Sequence, residues 1–172
     1  DMQYPAPGAP ALAARVHELA PEVALHPTRG LDHGAWVPLK LMFPEASIPV
    51  TQLALQPQLG PRQHYELGRK LASLREEGVL VIGSGSLTHN LYEIGRTDSA
   101  ARNAAQEFAD WVADKLAAKD IEALLNYRSL APHAEWNHPT EEHFLPLFVA
   151  LGAGAGEAAV LHRSIEMGIL AM

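Results

Sequence analysis

One junction constrains this chain more than any other: an amphipathic helix stops at Gly78 and gives way at once to Val79-Leu80-Val81-Ile82. Pro61 opens that helix, and Tyr65, Leu67, Leu71 and Leu74 form its inner stripe. Apolar residues at this spacing bury one helical face, and a glycine supplies the left-handed stop. A short, continuous apolar run directly behind a helix reads as a strand buried on both faces, the usual state in a parallel sheet. Ile48 to Leu55 is a second strand candidate, and Val160 to Ile165 and Ile169 to Met172 read as closing strands joined by Glu166-Met167-Gly168. Strands alternating with helices predict an α/β layered domain. At 172 residues, with no linker or repeat, the expectation is one domain over 1–172.

The remaining helices follow from local signals. Leu12, Val16, Leu19 and Ala20 recur at helical spacing after the rigid turn of residues 5–10. Asp32 sits at an N-cap position ahead of a helix over 33–43, closed before Pro44. Asp98 to Ala118 is the longest helix, with Phe108, Val112 and Leu116 facing inward, and Ile121 to Tyr127 continues helical. Residues 130–137 read as irregular. Thr140 is placed as the cap of a helix over 141–151, ending at the glycine-rich run 152–156.

Composition removes several function classes. Twenty acidic against 13 basic residues leave a net charge of −7, the wrong balance for a phosphate backbone, so no nucleic-acid partner is expected. No stretch reaches the ~18 apolar residues of a membrane span, and a cytoplasmic protein without membrane partners is expected. The absence of cysteine excludes disulfides, thiolate metal sites and cysteine nucleophiles. Any transition-metal site must then draw on imidazole and carboxylate, and there are nine histidines.

Three histidine positions stand out. His89 follows the buried strand and Gly83-Ser84-Gly85-Ser86, so it emerges at a strand's carboxyl end, where open α/β sheets place ligands. A histidine that merely bonds the next turn is an equal reading. Gly83 to Ser86 lacks the lysine of a phosphate loop and fails the nucleophile-elbow spacing. In His138-Pro139-Thr140-Glu141-Glu142-His143, the cap at Thr140 puts His143 on a first helical turn, reaching back toward His138. A helix N-terminus disfavours imidazolium and keeps a ring neutral enough to ligate a metal. A solvated acidic first turn is the competing reading. His33, in Asp32-His33-Gly34, either faces a pocket or is a plain helix-entry residue.

Taken in order, Tyr4-Pro5-Ala6-Pro7-Gly8, Asp32-His33-Gly34-Ala35-Trp36, residues 44–50 (PEASIPV), 83–91 (GSGSLTHNL), 139–147 (PTEEHFLPL) and Ile165-Glu166-Met167-Gly168 form a constellation. It resembles the class III extradiol ring-cleavage dioxygenases of the DOPA 4,5-dioxygenase type, over essentially the whole chain. The resemblance implies an α/β sandwich with a mixed central sheet flanked by helices. It also implies a non-haem Fe(II), for which zinc can substitute in purified material, and opening of a catechol ring with O2. His143 resembles the family's metal ligand. His89 resembles the acid–base histidine beside the metal, counted as a ligand in some descriptions. His33 resembles the histidine lining the substrate pocket, and His138 a residue contacting the substrate carboxylate or ring hydroxyls.

The family's chain is longer at its amino end and carries two more histidine ligands there, in Gly-His-Gly-Ser and Ser-Ala-His motifs that this sequence lacks. The resemblance thus implies that an amino-terminal segment of the same protein completes the ligand set. An oligomer is compatible with this reading. Two alternatives stay open: a non-catalytic binding or subunit domain of the same fold, and a zinc-dependent hydrolase using imidazole ligands.

Overall fold

In the computed structural model, residues 3–96, 98–154 and 158–172 are described. They divide into two compact units, Asp1–Ala54 and Leu55–Met172.

In the first unit, Pro10 opens helix α1 (Pro10–Leu19) and Asp32 caps helix α2 (His33–Met42). One carboxylate oxygen of Asp32 accepts from the Ala35 N–H at 3.2 Å, satisfying a donor the helix leaves orphaned. The other accepts from Gln52 Nε2 at 2.7 Å. The strand expected over 48–55 contracts to one parallel bridge, in which Val50 donates to Pro7 O and accepts from Ala9 N.

The second unit holds α3 (Gly60–Lys70), α4 (Ser99–Ala117), α5 (Ile121–Leu125), α6 (Tyr127–Leu130), α7 (Ala134–Asn137) and α8 (Leu145–Ala153). Asp98 and Asp120 cap α4 and α5 by accepting from Ala101 N and Ala123 N. Its core gathers Phe108 and Val112 of α4, Leu124 and Leu125 of α5, Tyr127 of α6, and Phe144, Leu145 and Phe148 around the start of α8. Burying one such side chain is worth ~1.5–3 kcal/mol, so this cluster carries much of the unit's stability. Helices α3 and α8 lie backbone to backbone. A Cβ at Gly68 would meet the Val149 carbonyl, and one at Gly152 the Tyr65 carbonyl. Strands β1 (Ile165–Glu166) and β2 (Leu170–Ala171) form an antiparallel hairpin, with Ile165 opposite Ala171. Its turn needs positive φ at Met167 (47°) and Gly168 (87°), the geometry of a tight primed turn.

This content, mostly helix with a little sheet, is compatible with the α/β class. Several local expectations differ. Residues 130–137, read as irregular, include helix α7, and the closing strands expected over 160–165 and 169–172 shorten to Ile165–Glu166 and Leu170–Ala171, the part that pairs across the hairpin. The helix expected to run to Gly78 ends at Lys70 and continues as a 3₁₀ turn, Ala72–Arg75, while Leu71 and Leu74 stay buried. Val79 to Ile82 is extended but has no ladder partner among the described residues, and Leu80 is 65% exposed. Burial on both faces needs neighbouring strands, which a local run cannot supply. The helix expected from Glu141 starts at Leu145, with Pro146 in its first turn. Thr140 Oγ1 donates to Glu142 Oε1 at 2.7 Å instead of capping it. Residues 155 and 156 of the glycine-rich run lie outside the described residues.

Candidate functional site

The segment 86–90 is tied down at every residue, mostly to α7 and the stretch between α7 and α8. Ser86 N donates to His143 O at 2.9 Å, and His89 N donates to Asn137 O at 2.9 Å. His138 Nε2 pairs with Leu87 O at 2.7 Å, and Asn90 Nδ2 donates to Trp136 O at 2.6 Å. Thr88, buried, is clasped by the closing hairpin: its Oγ1 donates to Ile169 O at 2.7 Å and accepts from Ala171 N at 2.6 Å. Gly85 lets this segment come close, because a Cβ there would meet the His143 carbonyl.

These ties bring His89 and His143, 54 positions apart, into a parallel stack with ring centroids 3.3 Å apart and planes 11° from each other. Both rings are half-buried. His143 Nδ1 is buried without a hydrogen-bond partner, and the nearest carboxylate, Glu142 Oε1, stands 3.5 Å away. Burial pushes the His89 pKa below that of a free imidazole, and the neighbouring His143 pushes the same way. A neutral ring at pH 7 is a Lewis base and a proton acceptor at once.

His138 is tied to the same segment through Leu87 O. Its ring is fully buried against Phe108, Phe144 and Tyr127, and burial lowers its pKa to about 4. His138 Nδ1 has no partner. His33 stands exposed at the first position of α2, in the other unit. Thr88, Asn90 and Asn137 were not among the expected site residues. The one signal for them is that each directly adjoins a candidate histidine in the chain.

Two imidazoles in contact, His89 with its pKa lowered by burial and His143 with a buried Nδ1 that makes no hydrogen bond, are donors of the right kind. Among the described residues, no group of three or more His, Cys, Asp or Glu side chains is placed to hold a metal. The pair therefore fits as part of a coordination shell. Among the described residues, no helix is long and apolar enough to cross a membrane.

Known proteins share this arrangement of sequence. Residues 1–168 match the family described as the catalytic LigB subunit of aromatic ring-opening dioxygenase. A "4,5-DOPA dioxygenase extradiol" from Beta vulgaris is 44% identical over 176 residues, covering 98% of this chain and 65% of that protein. The protein of that name from Escherichia coli K12 is 38% identical over 181 residues, covering 100% of this chain and 66% of the relative. The chain thus spans just under two thirds of the length of these relatives. The crystal structure of an uncharacterized protein from Escherichia coli K12 superposes with a TM-score of 0.86 at 37% identity, covering 100% of this chain and 74% of the other.

Proposed function

The chain belongs to the LigB family of aromatic ring-opening dioxygenases, and from that premise we propose that it is the part of an extradiol dioxygenase that carries His89 and His143 to a ferrous centre. The protein so formed opens a DOPA-like catechol with O2, as the names of the relatives suggest. The observation that carries the proposal is the stack itself: two imidazoles from distant loops with ring centroids 3.3 Å apart, one with a buried nitrogen that makes no hydrogen bond.

In this reading His143 is a metal ligand, and His89 is the acid–base residue beside it and a possible further ligand. A bound Fe(II) would activate O2 and acidify the catechol hydroxyls. His89, kept neutral by burial, takes a hydroxyl proton from the substrate and hands it back as the ring opens. His33 is proposed to line the substrate pocket. For His138, a substrate contact would require the ring to leave its buried seat, and another task is argued below. The further nitrogen donors are proposed to come from an amino-terminal segment of the same protein. The match over residues 1–168 supports a single domain spanning both units, built as an α/β sandwich around a mixed central sheet. A cytoplasmic enzyme is part of the proposal.

Oxygen uptake by the natural protein tests this. With Fe(II) and DOPA, O2 consumption should match formation of the ring-opened semialdehyde, and zinc should not replace iron. Uptake absent under all metals would favour a second reading, a non-catalytic domain of the same fold. That reading draws on the lack of a third donor among the described residues.

A further inference from the structure

We infer that His138 is a positioning residue: its ring, sealed in the core, holds the Leu87 carbonyl and so sets His89 against His143. The inference rests on the reading of those two histidines given above.

Four observations carry it. His138 is 0% exposed, so no ring atom reaches solvent or a ligand in this structure. Its Nε2 lies 2.7 Å from Leu87 O, an oxygen that only accepts, which places the proton on Nε2 and leaves Nδ1 a bare lone pair. The ring is braced by aromatic neighbours: Phe144 at 4.9 Å, Phe108 at 5.4 Å and Tyr127 at 6.3 Å between centroids. The chain on either side of it holds the same segment, since Asn137 O accepts from His89 N and His143 O accepts from Ser86 N. A hydrogen bond aimed at the residue two before His89, from a fully buried ring packed against three aromatic side chains, defines where that segment lies.

Leaving a half-buried carbonyl without its partner costs part of the desolvation penalty as well as the bond. Losing the Nε2 donor should therefore loosen residues 86–89 while the aromatic cluster persists. The test pairs His138→Phe, which keeps a ring and removes the donor, with His138→Gln, whose side-chain amide can donate to Leu87 O.

In metal-free protein, hydrogen exchange at the Ser86 and His89 amides should speed up on the order of 10-fold in His138→Phe and stay near wild type in His138→Gln. In the iron-loaded natural protein, kcat should fall in the Phe variant with KM nearly unchanged, and recover in the Gln variant. Unchanged amide protection in His138→Phe would overturn the inference. So would a rise in KM alone that Gln does not rescue, which is the signature of a substrate contact. If neither variant folds, exchange at the His89 amide in wild type against His138→Asn, whose shorter amide falls short of Leu87 O, gives the same contrast. Because the exchange measurement needs no metal and no turnover, it stands or falls apart from the proposed activity.

Discussion

The imidazoles of His89 and His143 lie face to face, 3.3 Å between centroids and 11° from parallel. Burial, and then the neighbouring His143, push the His89 pKa below that of a free imidazole, so the stack favours a neutral His89.

Replacing His89 by Gln should separate its two roles. If its main work is proton transfer, the variant keeps most of its iron while kcat falls by ~10²–10⁴, the usual worth of general acid–base catalysis. Metal analysis alongside steady-state kinetics checks this, and loss of iron together with kcat would make His89 a ligand.

Acid should weaken the fold through His138. Its pKa is lowered from the ordinary imidazole value to about 4, so between those values the unfolded chain binds a proton that the folded chain refuses. The stabilisation is fully present above pH ~6.5, is lost as pH falls toward 4, and amounts to roughly 3 kcal/mol. Urea unfolding of wild type and His138→Gln across that window should show the wild type losing more stability. Parallel curves would contradict it.

The glycines of the second unit divide by consequence. Gly68→Ala drives a methyl into the Val149 carbonyl between α3 and α8, and overpacking of this kind costs ~1–3 kcal/mol, a fall of several degrees in Tm. Gly85→Ala meets the His143 carbonyl instead. It should lower Tm by a similar amount and, unlike Gly68→Ala, also weaken iron binding by about 10-fold or more. Calorimetry and an anaerobic Fe(II) titration of both variants distinguish the two effects, and equal iron affinity in Gly85→Ala and wild type would count against the placement of this segment.

Much of the local structure was legible because its causes are local. Asp32 and Asp98 announce helix starts through their own side chains, and both caps are present. Thr140 carries the same signal but spends its hydroxyl on Glu142, and Pro146 sits in the first turn of a helix that starts later. Val79 to Ile82 has strand-like residues, yet its burial depends on neighbours that no local pattern records. The site was legible in its residue types only. Nothing in the spacing of His89 and His143 says that they touch; the motif resemblance named them, and the ties of Ser86, Thr88 and Asn137 show how they meet. The complete burial of His138 was invisible for the opposite reason, since a polar residue beside a proline reads as surface.

Iron content after anaerobic reconstitution puts the central claim to the most direct test, with the natural protein compared to His143→Ala. Near-stoichiometric Fe(II) in the former and little in the latter, at similar far-UV circular dichroism, is what the histidine pair predicts. Equal iron in both proteins would show that the metal is held elsewhere and would contradict the account.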